Sequence, residues 1–255
     1  CEDESVVGTI FYVMDMVEGR ILWDPRLPDI PREGRRAIFE AKISTLAKLH
    51  NADYEAIGLG DFGKPGNYFS RQISRWTKQY QMSETQNIGT INKLIDWLPN
   101  NIPDDDANSI VHGDFRLDNI VLHADKPEVL AVLDWELSTL GHPLGDFTYH
   151  LMQWFMPSDG ASTQTLEGAD FDSLNIPDAA EYTRLYCEHT ERDSIENMDF
   201  YIAYNMFRLA GILQGIVGRV RDGTASNEHA ALMEDRVKPL SDVGWFYAQK
   251  AGAIG

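Results

Sequence analysis

The feature that most restricts the fold of this chain is a group of three short apolar runs near its centre, each next to a polar residue. The runs are rich in valine, isoleucine and leucine and are bounded by turn-forming residues, which is typical of β-strands. Asp125 and Pro127 indicate a turn between the second and third runs. We therefore expect a small strand cluster that carries polar side chains at its ends. The predicted strands are Ser109–His112, Asn119–His123 and Val129–Leu133.

The rest of the chain is predicted to be mostly helical, so the expected fold class is α+β with a helical majority. An opening run from Val6 to Val17 is rich in β-branched and aromatic residues and predicts one further strand, ended by Glu18 and Gly19. The segment from Met156 to Ile176 is rich in Ser, Asp, Gly and Thr and predicts a long linker. Apolar residues recur at helical spacing elsewhere. The predicted helices are Arg35–His50, Tyr68–Gln81, Thr85–Leu98, Leu144–Phe155, Pro177–Glu191, Asn197–Val220 and Asn227–Lys250.

Composition excludes several classes of partner. The formal net charge is −18, which argues against nucleic acid because a phosphate backbone requires a basic surface. The sequence contains no run of about 18 apolar residues, so we expect no membrane partner. The two cysteines, Cys1 and Cys187, allow at most a single disulfide and suit a reducing, cytoplasmic compartment. The sequence gives no indication of an oligomeric state.

Asp114, Asn119 and Asp134 have the residue types and the spacing that kinase-type phosphoryl transfer requires. In that chemistry one carboxylate receives the proton of the acceptor hydroxyl, while an asparagine and a later carboxylate hold the magnesium that neutralises ATP phosphates. Asn119 follows Asp114 by five residues, and Asp134 ends the third run. Each residue also has a plain structural interpretation, as a turn residue or turn cap. The combined spacing favours Asp114 as the base and Asn119 and Asp134 as magnesium ligands.

Four neighbouring polar residues are candidates for supporting or contact roles. His112 lies outside any H-x-H or HExxH pattern, so we predict that it braces the loop and does not bind metal. Arg116 either contacts phosphate or pairs with an acidic side chain. Glu136 is a candidate second carboxylate or substrate contact. Asp146 opens an apolar helix, where a carboxylate is favoured by the helix dipole.

The motifs HGDFRLDN, LDWE and LGHPLGD resemble the aminoglycoside phosphotransferase group of kinase-like enzymes. More narrowly, FYVMDMVEGR and the stretch from LAKLHNADYEAIG to SRQISRW resemble phosphotransferase domains related to the amino-terminal part of certain acyl-CoA dehydrogenase family members. The resemblance implies ATP and Mg²⁺ as cofactors, Asp114 as catalytic base, and Asn119 and Asp134 as metal ligands. It also implies that His112 and Asp146 support the catalytic loop. The run from Phe11 to Val17 matches the hinge between two lobes, where backbone groups near Asp15 and Val17 meet the adenine.

The resemblance also implies a part that this sequence does not show. A small β-rich lobe with a phosphate-covering loop and a lysine precedes the hinge in this family. Here only Cys1 to Thr9 come before the predicted hinge strand. We therefore expect a protein-kinase-like C-terminal lobe that lacks most of the N-terminal β lobe, with residues 1–18 as its remnant and hinge and residues 19–255 as the helical lobe. This chain alone is expected to be inactive.

The predicted function is ATP- and Mg²⁺-dependent transfer of a γ-phosphoryl group to a hydroxyl of a small molecule. Two alternatives remain open at this stage: a non-catalytic module that binds nucleotide or ligand, and a metal-dependent phosphohydrolase. The substrate is also open, because family names extend further than activities. An aminoglycoside, a hydroxy acid or its CoA ester, and another alcohol are all candidates.

Overall fold

The computed structural model describes residues 1–158, 165–224 and 232–254. Helices dominate, and four short strands lie in the middle of the chain between α3 and α4. The helices are α1 (Arg32–His50), α2 (Tyr68–Ser83), α3 (Gly89–Trp97), α4 (Pro143–Leu151), α5 (Phe171–Leu174), α6 (Ala179–His189), α7 (Met198–Arg221) and α8 (Glu234–Lys250). The strands are β1 (Ser109–Val111), β2 (Ile120–Leu122), β3 (Val129–Val132) and β4 (Thr139–Gly141). Short 3₁₀ turns follow α3 and α4, at Leu98–Asn100 and Met152–Trp154.

The predicted helical majority and the three central strands are confirmed, with element ends shifted by a few residues. The start of the last predicted helix, residues 227–231, lies outside the described residues. The strand β4 was not predicted, and neither was α5, which lies inside the predicted linker. None of the described helices is both long and apolar enough to cross a lipid bilayer.

The predicted strand from Val6 to Val17 is wrong. Those residues form turns and irregular backbone, and most of their side chains are exposed. β-branched composition favours an extended chain, but a strand forms only where a neighbour supplies hydrogen-bond partners. Phe11 exchanges hydrogen bonds with the terminal residue Cys1. The first β-bridge comes at Arg20, which exchanges both backbone hydrogen bonds with Leu122.

The four strands form two antiparallel pairs. The hairpin β2–β3 aligns Ile120 with Val132 and has an irregularity between Val121 and Leu122. The unpredicted β4 returns to pair with β1, aligning Val111 with Thr139. The segment between β1 and β2, which contains Asp114, is therefore held at both ends by paired strands.

Helix α7 runs through the centre of the molecule. It is buried along most of its length and packs against α2, α4 and α8. Glycines on one face of α7 allow α2 to approach closely. The missing Cβ of Gly218 would lie 2.6 Å from Ser83 Cβ and 3.1 Å from Ser83 Cα, whereas that of Gly211 would lie 3.6 Å from its nearest neighbour, the Trp76 carbonyl oxygen. The contact between the helices is thus tight at Gly218 and relaxed at Gly211.

The strand pairs are fastened to the helices by a buried carboxylate. Asp146, in the first turn of α4, accepts hydrogen bonds from the backbone N–H of His112 at 2.6 Å and of Gly113 at 2.9 Å. Its Oδ2 also lies 3.3 Å from Nε2 of His50 at the end of α1. Burial alone would raise the pKa of Asp146, but His50 and the two N–H donors outweigh burial and lower the pKa below its ordinary value. Asp146 therefore stays ionised and connects α1, α4 and the end of β1.

Replacing each α7 glycine with alanine should give opposite results at the two positions. Gly218→Ala forces backbone atoms of Ser83 to move, and we expect the free energy of unfolding to fall by about 1–3 kcal/mol. Gly211→Ala adds only an ordinary van der Waals contact, and we expect a gain of about 0.5–1 kcal/mol from helix propensity. Urea unfolding followed by circular dichroism measures both. Equal changes in unfolding free energy for the two variants would contradict the close approach of α2 to α7 at Gly218.

Asp146→Asn should lower the free energy of unfolding by about 2–3 kcal/mol at pH 7, because an amide NH₂ then faces N–H donors. The folded-state pKa of Asp146 is lowered, so its stabilising contribution is complete above the unfolded value near 3.8 and is lost as pH falls through the lowered value. The difference in unfolding free energy between parent and variant should therefore stay constant down to about pH 5 and narrow below about pH 4. The exposed Asp125→Asn serves as the control, with a change within about 0.5 kcal/mol. If the difference in unfolding free energy between parent and variant grew as the pH fell, the lowered pKa of Asp146 would be contradicted.

Candidate functional site

The loop between β1 and β2 turns sharply at Gly113. This residue has φ +84°, in the left-handed region that favours glycine. A Cβ here would also lie 2.6 Å from the Leu137 carbonyl oxygen. The next residue is Asp114, which is partly buried. Glycine is therefore the residue that suits this turn, and it lies immediately before Asp114, the candidate base.

Asp114 and Asn119 lie together across the loop. The Asn119 Nδ2 donates to the Asp114 carbonyl oxygen at 2.9 Å and to its Oδ2 at 3.3 Å. The Oδ1 atom of Asp114 is buried and has no hydrogen-bond partner within the described part of the chain. A buried carboxylate oxygen without a donor is costly, so a bound hydroxyl that donates to it would be favoured.

Asp134 is attached to the same loop through its neighbour. Leu133 donates its N–H to the Asn119 carbonyl oxygen at 2.8 Å, and its own carbonyl oxygen lies 2.8 Å from His112 Nε2. Asp134 itself follows β3, is exposed, and adopts φ +64°, which Asp tolerates better than most residues. The structure therefore brings the ends of the first, second and third predicted strands to one place.

Asn119 and Asp134 have the oxygen donors that suit Mg²⁺. Because the amide nitrogen of Asn119 faces Asp114, its oxygen faces the other way and is available to a cation. Among the described residues, no group of three or more His, Cys, Asp or Glu side chains comes together for metal binding. Magnesium commonly takes only one or two protein oxygens and completes its shell with water and substrate phosphates, so the pair fits this ion.

His112 uses both ring nitrogens within the protein. Nε2 contacts the Leu133 carbonyl oxygen, and Nδ1 accepts from the Asp114 N–H at 3.2 Å. Its side chain is fully buried and its own N–H is held by Asp146. The contacts agree with a bracing role and leave neither ring nitrogen for a metal.

Arg116 and Glu136 occupy the edge of the site. Arg116 donates to both carboxylate oxygens of Asp118, at 3.0 and 2.6 Å. Burial opposes its charge, but Asp118 outweighs burial and raises the pKa of Arg116. Glu136 lies exposed in the 3₁₀ turn Trp135–Leu137. Of the two interpretations of Arg116, the structure shows the acidic partner.

Asp15 and Val17 are not brought to the loop by any contact that the structure describes. Both lie in exposed, irregular backbone. The nearest regular attachment is the pairing of Arg20 with Leu122, which places the segment beside the hairpin β2–β3. Their role at adenine stays a prediction.

Two residues that the sequence analysis missed lie behind the loop on the helices. Arg208 on α7 donates from Nη2 to the Gly113 carbonyl oxygen at 2.5 Å, and its guanidinium lies 4.4 Å from the ring centre of Tyr149 on α4. Tyr149 follows Asp146 by one helical turn and so shares its face, a spacing that could have identified it. Arg208 is a charge inside the apolar run MFRLAGIL, which is the only local signal of its burial.

A cavity of about 230 Å³ lies beside the loop. It combines arginine, carboxylate, phenol and imidazole groups with apolar side chains. Lys42 is buried behind it, and burial lowers the pKa of Lys42 to about 7 despite Asp118. Burial also lowers the pKa of His150 well below its usual value, and Lys42 adds to that effect. The residues that line the cavity are Trp23, Pro25, Arg116, Leu117, Asp118, Tyr149, His150, Met152, Gln153, Met156, Leu209, Leu213 and Arg236.

Solved structures share this fold. A crystal structure from Ralstonia eutropha JMP134, described provisionally as an aminoglycoside phosphotransferase, is 53% identical and superposes with a TM-score of 0.93. The alignment covers 98% of this chain and 76% of that one. A thermostable variant of the aminoglycoside phosphotransferase APH(4)-Ia, solved with AMP-PNP and hygromycin B, superposes with a TM-score of 0.55 at 14% identity, covering 89% and 70%. The second likeness shows the fold alone.

Curated relatives are much longer than this chain. Mouse acyl-CoA dehydrogenase family member 10 is 42% identical over 252 residues, which is 99% of this chain and 24% of that protein. Human acyl-CoA dehydrogenase family member 11 is 41% identical over 246 residues, 96% of this chain and 31% of that protein. The chain thus spans a quarter to a third of these relatives. The model of the phosphotransferase enzyme family matches residues 1–185. With its kinase-like aminoglycoside phosphotransferase fold, the chain belongs to that family.

Proposed function

We propose that this chain is the helical lobe of an ATP- and Mg²⁺-dependent phosphotransferase that acts on a hydroxyl of a small molecule. The observation that carries the proposal is the Asp114 carboxylate, which Asn119 holds in place while its buried Oδ1 has no donor in the described chain. A base positioned next to a phosphoryl donor needs such a free oxygen to receive a hydroxyl proton. Nucleotide complexes of fold relatives, including one with AMP-PNP, support ATP as the donor.

The chemistry assigned to the residues is an in-line displacement. The acceptor oxygen forms a bond to the γ-phosphorus, the bond from that phosphorus to the bridging oxygen breaks, and ADP leaves with the electron pair. Asp114 orients the acceptor hydroxyl and takes its proton. Asn119 and Asp134 would hold Mg²⁺, which when bound neutralises charge on the phosphate oxygens. The proposal concerns the full-length protein, because no residue of this chain is assigned to a phosphate-covering loop or its lysine.

The charges around the cavity favour some acceptors over others. The chain is strongly acidic, but the Asp118 carboxylate in the cavity lining is already paired with Arg116. Arg208 is buried close behind the cavity, and so is Lys42, whose pKa of about 7 leaves it only partly protonated at neutral pH. We infer that an uncharged or anionic hydroxyl compound is a better acceptor than a polycationic aminoglycoside. A screen of both kinds of compound with the full-length protein tests this inference.

Asp114→Ala in the full-length protein should lower turnover roughly 100-fold to 10,000-fold, because the acceptor proton then has no base. Binding of Mg-ATP should survive, since Asp114 is not assigned to the nucleotide. ADP release and calorimetric titration measure the two properties, and Asp125→Ala in an exposed turn is the matched control. Near-parental turnover of the Asp114 variant would rule out Asp114 as the base.

Asp134→Asn should raise the Mg²⁺ concentration needed for half-maximal turnover by at least about tenfold, because a charged oxygen ligand is lost. Glu136→Gln, two residues further in an exposed turn, is the control and should leave the Mg²⁺ dependence unchanged. If the two variants exchanged these results, Glu136 and not Asp134 would be the ligand. Chelation of Mg²⁺ should stop turnover of the parent protein.

Two other outcomes would replace the proposal. Binding of Mg-ATP by the full-length protein without turnover of any acceptor would indicate a binding module. Release of phosphate from phosphate esters with no nucleotide present would indicate a phosphohydrolase. Both are visible in the assays that test Asp114.

A further inference from the structure

The peptide groups on both sides of the candidate base, Asp114, are held by hydrogen bonds. The carbonyl oxygen of Gly113 accepts from Arg208 Nη2 at 2.5 Å, and the N–H of the same peptide group donates to His112 Nδ1 at 3.2 Å. The carbonyl oxygen of Asp114 accepts from Asn119 Nδ2 at 2.9 Å. His112 and Asn119 belong to the loop segment, whereas Arg208 reaches it from α7. Arg208 therefore ties the backbone at the base to the helical part of the molecule.

Arg208 makes its hydrogen bond from inside the protein. The residue is 4% exposed, and its Nε and Nη1 atoms are buried without a hydrogen-bond partner among the described residues. The guanidinium lies 4.4 Å from the ring centre of Tyr149 and 5.8 Å from that of Trp76, and these rings offset only part of the cost of burying a cation. A neutral donor would satisfy the Gly113 carbonyl at a lower cost. The burial of a full charge at this place therefore indicates a function beyond packing.

The peptide group between Gly113 and Asp114 sets the direction of the base. Rotation of that rigid group changes ψ of Gly113 and φ of Asp114, and the Asp114 side chain turns with it. Gly113 lacks a Cβ and has φ +84°, so its own backbone limits this rotation less than that of another residue would. A hydrogen bond from a charged donor is shorter and stronger than one from a neutral donor. The bond from Arg208 is therefore well suited to hold the peptide group in one orientation.

We propose that Arg208 is a positioning residue for the base: its hydrogen bond to the Gly113 carbonyl fixes the Gly113–Asp114 peptide group and thereby the direction of the Asp114 side chain. The proposal rests on the proposed function of Asp114. Arg208 exchanges no proton with the acceptor and acts through the backbone of the loop. A base that is displaced by even a small distance loses much of its effect, because proton transfer requires hydrogen-bond geometry.

The first test uses Arg208→Met in the full-length protein, because methionine keeps a long side chain but cannot donate to the Gly113 carbonyl. We expect kcat for ADP release from Mg-ATP, with water receiving the phosphoryl group, to fall at least about tenfold. KM for Mg-ATP should stay within about twofold, since Arg208 has no assigned contact with the nucleotide. Arg208→Lys keeps the charge without the planar fork, so its kcat should be intermediate. It also provides the measurement if the methionine variant does not fold.

Gln214→Met is the matched control on the same helix. Gln214 is fully buried, lies about 9 Å further along α7, and donates from Nε2 to the Ser83 carbonyl oxygen at 2.6 Å. We expect this control to lower the urea concentration at the unfolding midpoint but to keep the parental kcat, because its hydrogen bond does not reach the loop. Parental kcat in both Arg208 variants, or an equal loss of kcat in Gln214→Met, would overturn the positioning role.

A spectroscopic measurement reports the hydrogen bond without any turnover. Labelling of glycine carbonyl carbons with ¹³C and of aspartate nitrogens with ¹⁵N selects, in a spectrum that correlates the two, the three Gly–Asp pairs of this 255-residue chain: Gly60–Asp61, Gly113–Asp114 and Gly145–Asp146. Loss of the donor in Arg208→Met should move the Gly113 carbonyl resonance upfield, because a hydrogen bond withdraws electron density from the carbonyl carbon. The exposed Gly60–Asp61 pair should not move. An unmoved Gly113 resonance would also overturn the proposal.

These outcomes are distinguishable from a failure of the proposed function. Turnover that survives Asp114→Ala would rule out the base itself, and the positioning role with it, even if the Gly113 resonance moved as expected. Turnover that is lost in Asp114→Ala but parental in both Arg208 variants would rule out the positioning role alone. A loss of kcat in the Arg208 variants, with KM for Mg-ATP unchanged and the Gly113 resonance moved, is the result that the proposal requires.

Discussion

Asp146, buried in the first turn of α4, accepts hydrogen bonds from the backbone of His112 and Gly113 and contacts His50 at the end of α1. A carboxylate taken out of water is tolerated only when its oxygens find donors, so these three partners are a condition of the fold. The hydrogen bonds to His112 and Gly113 also fix the end of strand β1 and the direction of the loop that follows it. The placement of Asp114 follows from that direction.

The same arrangement holds the loop by hydrogen bonds although the loop contains little regular structure. One residue of the loop, Gly113, is held through its N–H by α4 and through its carbonyl by α7. The next, Asp114, donates its N–H to the ring of His112, and that ring contacts the end of β3. Both backbone groups of Gly113 are therefore bonded to helices, and both backbone groups of Asp114 are bonded to side chains of the loop segment itself. The Asp114 carboxylate oxygen that remains without a partner in the described chain is the natural place for a ligand.

The sequence predicted the central strands, whose signal is local, and missed contacts that come from distant elements, while the roles of Asp114, Asn119 and Asp134 stay predictions. Asp114, Asn119 and Asp134 lie within one short stretch, and the hairpin β2–β3 that joins them is encoded by turn residues between apolar runs. Arg208 reaches the loop from α7, and no spacing in the chain links it to Gly113. The predicted opening strand was wrong for a related reason. A strand forms only beside another strand that accepts and donates its hydrogen bonds, and composition does not reveal that partner.

The distribution of charge follows from the chemistry that the loop is proposed to perform. Three carboxylates, those of Asp114, Asp118 and Asp134, would repel the phosphates of a nucleotide, and the net charge of −18 adds to that repulsion. The buried cations oppose it. Surface charges are weakened by water and salt, whereas charges in the interior are screened much less. Lys42 acts on Asp118, and Arg208 acts on Asp146 and Tyr149. Arg208, and Lys42 in its protonated form, therefore offset close to the loop a part of the repulsion from the carboxylates.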